Sequence, residues 1–314
     1  MKKILIVGAG GQIGSELVTY LRGIYGNGNV VAADLRSSER LAADGPFEIL
    51  DALDAERYAE LVRKYGIDSI FNLAALLSAK GEANPSLAWK INIGALTNSL
   101  EVARQYNCAL FTPSSIGAFG GDFPRDNTPQ DTIMQPNTMY GVCKVTGELL
   151  SNYYHTRFGV DTRSVRFPGI ISNVTQPGGG TTDYAVEIYY AAVKGERFVC
   201  PVSRNVYMDM MYMPDALRAA VELMEADPAK LKHRNSFNIA SMSFTPEIIY
   251  AEIRKRLPEF EMVYDVDPVK EAIAESWPNK LDDTCAREEW GWKPQWDLSS
   301  MTDDMLRAVR AKNL

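Results

Sequence analysis

Histidine is nearly missing from this sequence: only His155 and His233 occur in 314 residues. A His-rich zinc site cannot be assembled from two, and no Cys/His cluster replaces it, so neither a structural nor a catalytic metal is expected. The four cysteines, Cys108, Cys143, Cys200 and Cys285, contain no C-x-x-C pair. Their scatter suits reduced thiols acting as buried filler rather than a disulfide framework. No apolar run approaches the roughly 18 residues that a membrane span needs. Met1-Lys2-Lys3 runs straight into an apolar strand and a glycine-rich loop, leaving no room for a signal peptide, so a cytoplasmic location is expected. A basic excess is missing too. A net charge of −7 and a pI near 5.1 exclude the counterion-displacing surface that a nucleic-acid partner demands.

What is present is ordinary globular material, 46% hydrophobic and 23% charged, long enough for one large domain with an appended lobe or for two domains. Apolar β-branched runs at 4–7, 30–33, 47–50, 69–73, 109–112 and 162–167 read as strands. Between them the spacing predicts helices from Ile13 to Leu21 and over 55–64, 85–106 and 139–158. This alternation is that of an α/β doubly wound parallel sheet, a Rossmann fold, placed at 1–168. After Phe167 the regularity fails at Pro168, Pro177 and Gly178-Gly179-Gly180. Residues 169–314 then mix short strands (198–202, 236–240, 262–266) with helices (184–193, 215–225, 246–257). They read as a smaller α/β substrate-binding lobe, with some chain returning to the first domain.

Gly8, Gly11 and Gly14 follow the first strand and open the first helix, where a dinucleotide pyrophosphate meets backbone N–H groups and the positive helix end. Asp34 lies 20 residues past Gly14, at the end of the second strand, placed to accept from the adenosine ribose hydroxyls. A carboxylate there repels a 2′-phosphate and favours NAD over NADP, although Arg36 nearby is able to pair with such a phosphate. Asp51 either meets the adenine amine or caps the helix that begins near Asp54. The small residues of Leu73-Ala74-Ala75 let the backbone pass close to a cofactor.

Tyr140 and Lys144 stand one helical turn apart on one face. An ammonium beside a phenol stabilises the phenolate and makes it a usable general base near neutrality. Tyr190 and Lys194 repeat this spacing. The first pair is preferred because Ser114-Ser115 ends the strand 25 residues before Tyr140, where a hydroxyl can hold the substrate oxygen as its proton leaves.

The glycine loop, Asp34, the Ser115/Tyr140/Lys144 triad and the turn Arg166-Phe167-Pro168-Gly169 together resemble the extended short-chain dehydrogenase/reductase superfamily over essentially the whole chain. Within it, the segment from Leu73 to Glu82, the run Pro113 to Gly120, the run Gly178 to Ala185 and Ser276-Trp277-Pro278 are similar to the short-chain-type L-threonine 3-dehydrogenases. The epimerases of the superfamily typically end the serine motif in Val-Tyr-Gly, unlike this chain. Ser115 and Cys143 stand where those dehydrogenases usually have threonine; Ser115 keeps the hydroxyl.

The resemblance implies NAD-dependent oxidation of L-threonine at Cβ, with Tyr140 as base and Lys144 also holding the nicotinamide ribose. The expected cofactor contacts are Gly8, Gly11, Gln12, Ile13, Gly14, Asp34, Arg36, Asp51, Leu53, Leu73, Ala74, Ala75, Asn92, Ser114, Tyr140, Lys144 and Pro168. For substrate, Ser115 and Tyr140 are joined by Ser78, the Gly81 backbone, Thr182 and Trp277. Bland alternatives stand beside these: Ser78 as a helix cap, Thr182 as the cap before the helix at Tyr184, Trp277 as lobe core. No residue is assigned to the substrate carboxylate. A homodimer through the long helices 94–106 and 140–158 is also implied. The competing functions are a sugar-nucleotide epimerase or dehydratase of the same superfamily, and a non-catalytic NAD-sensing regulator.

Overall fold

Ile4–Val7 form a strand because four branched apolar residues in a row suit a site buried on both faces, and all four are fully enclosed. The strand lies at the centre of a six-stranded, all-parallel sheet. The order is Phe47–Ile49, Val30–Asp34, Ile4–Val7, Ser69–Asn72, Ala109–Phe111, Thr162–Arg163. This computed structural model describes residues 1–175 and 180–312. The chain is α/β, and the strand order is that of a Rossmann sheet, reversing direction beside Ile4–Val7. Ligands of such sheets bind over the C-terminal ends of the strands at that reversal.

The helices Ala55–Tyr65 and Pro85–Tyr106 cover one face. Leu5, Val7, Val31, Ala33 and Ile70 alternate toward them and join Tyr58, Leu61, Leu96 and Leu100 in one buried cluster. Each helix is started by a side chain: Asp54 accepts from Arg57 N–H and Asn84 from Leu87 N–H, with Pro85 at the first turn. The expected sixth strand, 162–167, breaks at Ser164. Thr162–Arg163 stay in the large sheet, whereas the Ser164 N–H donates to Arg234 O and its carbonyl accepts from Phe237 N–H. Local β-propensity gave no sign of this, because the pull comes from residues seventy positions later.

The chain divides into two compact units. The first comprises Met1–Ala118, Pro136–Arg166 and Leu217–Phe237; the second comprises Phe119–Gln135, Phe167–Ala216 and Asn238–Leu314. The changeover expected at 168 falls at 166, and 119–135, expected in the first domain, belongs to the second. The second unit holds a three-stranded sheet, Met242–Phe244, Met208–Tyr212, Gly169–Ile171, and a parallel pair, Phe198–Cys200 with Met262–Tyr264. Its core gathers Tyr184, Ile188 and Tyr189 with Met301, Met305 and Val309 of the helix Leu298–Arg310.

Candidate active site

Gly8 sits at φ +81, and a Cβ there would lie 2.7 Å from Ala74 N and 2.8 Å from Leu73 C. Gly14 is as constrained: its Cβ would meet Gly8 O at 2.2 Å. These two glycines bring the loop against the end of the fourth strand and the first helix against the loop. The helix Gln12–Tyr25 begins at Gly11 with no side chain capping it, so its first N–H groups, on Gln12 and Ile13, face outward at the positive helix end. Asp34 Oδ2 accepts from Gly10 N–H at 2.8 Å, which fixes the carboxylate at the loop tip. The Arg36 side chain is exposed, and the Arg36 backbone N–H donates to Asp34 Oδ1. An uncapped helix end, a loop that only glycine can form and an aspartate at its rim together fit a dinucleotide.

Asp51 does not cap the following helix, a job done by Asp54; its Oδ1 accepts from Leu53 N–H at 2.9 Å, shaping the turn. Leu53 reaches across to Gly94, where a Cβ would lie 2.7 Å from Leu53 Cδ2. Asn92 has its carboxamide engaged twice with one residue: Oδ1 accepts from Leu76 N–H (2.7 Å) and Nδ2 donates to Leu76 O (3.1 Å). It therefore pins the chain that follows Leu73-Ala74-Ala75 instead of presenting a free amide to a cofactor. Leu73, Ala74, Ala75, Asn92, Ser114 and Lys144 line a common recess. Two further lining groups, Asn72 Oδ1 and Thr112 Oγ1, are buried without a hydrogen-bond partner among the described residues.

Ser115, Tyr140 and Lys144 converge. Thr138 caps the helix Met139–Phe158 by accepting from Gly141 N–H at 3.1 Å, and Glu82 Oε1 accepts from Met139 N–H at 2.6 Å. The helix is then pressed onto the turn Ile116–Ala118 at Gly141, whose Cβ would lie 2.3 Å from Gly117 O. Gly117 lies against the Tyr140 ring: its own Cβ would be 3.2 Å from two ring carbons and 3.5 Å from Ser115 Oγ. Ser115 Oγ accepts from Gly117 N–H at 3.1 Å. Lys144 Nζ donates to Pro113 O at 2.6 Å and stands 5.3 Å from the Tyr140 ring centre. Cys143 is buried between the pair, and burial pushes its thiol up, so it remains protonated packing at neutral pH. The duplicate pair is otherwise engaged: Tyr190 OH accepts from Lys312 Nζ at 2.7 Å, and Lys194 is exposed.

Ser114 is tied to the helix Met139–Phe158. Its hydroxyl donates to Glu148 Oε1 at 2.5 Å, and Glu148, buried, accepts from Arg166 Nε (3.0 Å) and Nη2 (2.8 Å). Glu148, not among the residues expected in the site, lies one further turn along the Tyr140/Lys144 face, and that four-residue spacing is the sequence signal that marks it.

Gly81 N–H donates to Leu77 O (2.8 Å) and its carbonyl accepts from Asn84 N–H, so of the Gly81 backbone groups the second lone pair of that carbonyl is what is left for a substrate. Ser78 opens the helix Ser78–Ala83 after Leu77, which occupies the cap position. In the second unit, Pro168 is buried. Thr182 lies inside the turn Thr181–Asp183 rather than capping the next helix; Asp183 Oδ2 accepts from Gly180 N–H instead. The Thr182 methyl packs over Gly169, where a Cβ would lie 2.7 Å away. Trp277 is 8% exposed, with its carbonyl accepting from Arg125 Nε. Pro177, Gly178 and Gly179 lie outside the described residues.

A family model described as the NAD dependent epimerase/dehydratase family matches residues 4–240. An uncharacterized epimerase/dehydratase of Staphylococcus aureus (strain MRSA252) is 57% identical over 100% of this chain and 98% of its own length. Among solved structures, the L-threonine dehydrogenase of Clostridium difficile is similar at 55% identity and a TM-score of 0.98, covering 99% of this chain and 98% of that one. The holo form of a GalE-like L-threonine dehydrogenase from Cupriavidus necator is similar at 50% identity and a TM-score of 0.96, covering 98% of this chain and 99% of that one. The chain belongs to the NAD dependent epimerase/dehydratase family, within the extended short-chain dehydrogenases/reductases, and its cofactor is NAD.

Proposed function

We propose that this protein oxidises L-threonine at its 3-hydroxyl to 2-amino-3-oxobutanoate. The observation that carries the reading is its full-length likeness, at 55% identity, to a solved L-threonine dehydrogenase. The meeting of Ser115, Tyr140 and Lys144 at one turn supports it. When bound, NAD+ supplies the acceptor for the hydride leaving Cβ. Tyr140 removes the hydroxyl proton as the carbonyl forms, Ser115 steadies the oxygen, and Lys144 favours the phenolate and holds the nicotinamide ribose. Ser78, Thr182 and Trp277 are proposed substrate contacts, to be read as rises in KM when each is replaced.

The test is NADH formation by the purified protein with NAD+ and L-threonine, run beside other 2-amino-3-hydroxy acids and UDP-sugars. The family description and the name of the S. aureus relative favour a second reading, a sugar-nucleotide epimerase or dehydratase. Activity on a UDP-sugar without threonine turnover would establish that reading and discard the first. We further propose a homodimer. Val142, Leu149 and Tyr153 share one exposed face of the helix Met139–Phe158, and Leu87 and Trp89 are exposed on Pro85–Tyr106.

A further inference from the structure

Tyr140, Lys144 and Glu148 recur every four residues along one helix, and each touches the same short segment. Tyr140 lies on Gly117, Lys144 Nζ donates to Pro113 O, and Glu148 Oε1 accepts from Ser114 Oγ. A lysine with a glutamate four residues on is placed for an ion pair. Here the ammonium goes to Pro113 instead, while both Glu148 oxygens are taken up by Arg166 and Ser114. Glu148 and Arg166 are 5% and 6% exposed, so neither charge is screened by water.

We infer that Glu148 and Arg166 form a positioning pair for the catalytic centre: Glu148 holds the Ser114-Ser115 segment in register with the helix, and Arg166 neutralises Glu148 so that Lys144 stays on Pro113 O, beside the Tyr140 ring. The desolvation cost of a buried ion pair can exceed its Coulombic gain, so net stability does not follow from the pair. The inference rests on Tyr140 being the base in the reading above. Among the described residues, the charged groups set against this helix face include Lys144 and Glu148 on the helix, Arg166 on the strand Val165–Phe167, and Glu82, which accepts from Met139 N–H. Cys143, between Tyr140 and Lys144 on the helix, stays a neutral thiol because burial pushes it up.

The charges give the two partners opposite signatures. Glu148→Gln keeps an acceptor for Ser114 and Arg166 but removes the negative charge from the helix face that carries Tyr140 and Lys144, and the phenol should then titrate at lower pH. Arg166→Met frees the carboxylate to draw Lys144 away, and the phenol titrates at higher pH. Each shift should be about one pH unit, and the double variant should return close to wild type.

The readout is the ultraviolet phenolate absorbance of each protein minus that of its Tyr140→Phe counterpart, which isolates one tyrosine among 15. The pH profile of kcat is recorded alongside. Opposite shifts with recovery in the double variant support the inference. Midpoints that stay put, or move the same way, overturn it and leave the pair purely structural. If Arg166→Met fails to fold, Glu148→Gln decides the matter alone, an unmoved midpoint counting against. A wild type inactive on threonine would defeat the proposed function but not this titration, so the two failures are distinguishable.

Discussion

Tyr140 and a phenylalanine in its place differ by one oxygen atom, and the ring contact with Gly117 survives the exchange. Tyr140→Phe should therefore lower turnover by about 10² to 10⁴-fold, the span of a lost general base, while NAD affinity stays nearly constant. Turnover within tenfold of wild type would mean that another group acts as base. A second residue makes a prediction about stability. Asp209 is fully buried, with Oδ2 accepting from Leu281 N–H and Oδ1 unpartnered among the described residues. Burial, reinforced by Asp283, holds its carboxyl well above the usual range. The folded state thus keeps a proton that the unfolded chain releases at about pH 4. Asp209 weakens the fold progressively as pH rises from there toward its folded value, and has no such effect below. Asp209→Asn should raise Tm near pH 7 and leave it unchanged below about pH 4; an equal Tm change at both pH values would refute this.

Among elements, the decisive contact is between the helix Met139–Phe158 and the turn Ile116–Ala118. Gly141→Ala gains about 1 kcal/mol of helix propensity. It also places a carbon 2.3 Å from Gly117 O and 2.5 Å from Pro136 Cβ, neither of which yields easily. The clash should win: Tm falls and kcat drops with NAD binding retained. Gly147→Ala on the same helix is the control, because its Cβ would meet only the mobile end of Leu96, at 3.2 Å, and activity should hold. Equal activities for the two would remove the contact from the account.

The main helices and strands of the first unit were legible in sequence, since periodicity there comes from burial on known faces: 85–106 and 139–158 appear with their expected bounds. In the second unit the helix Leu298–Arg310 was passed over, although Met301, Met305 and Val309 repeat every four residues behind the Asp297 cap. Met208–Tyr212 was illegible for another reason: a methionine-rich strand around a buried aspartate imitates neither alternation nor a plain apolar run. In the candidate site, Tyr140, Lys144 and Ser115 were legible from the place of Ser114-Ser115 at a strand end, not from the Tyr/Lys spacing, which Tyr190 and Lys194 repeat. The roles of Ser114 and Asn92 were not, because each is set by a partner distant in sequence, Glu148 and the Leu76 backbone.

For the molecule as a whole, the exposed Leu149 and Tyr153 carry the assembly prediction. Leu149→Glu with Tyr153→Glu should convert a dimer to a monomer in sedimentation, with secondary structure intact. A wild type that already sediments as a monomer would end the dimer proposal.

The chain passes between its two units five times. Arg163, buried, donates from one nitrogen to the carbonyls of Leu223, Met224 and Ala226, sixty and more residues downstream. A nascent chain that has emerged through residue 166 owns every strand of the large sheet but leaves that guanidinium without those acceptors. The NAD half of the molecule is therefore completed only after most of the chain has been translated. A gene cut at the apparent end of the Rossmann fold yields an unfinished unit rather than a cofactor-binding module.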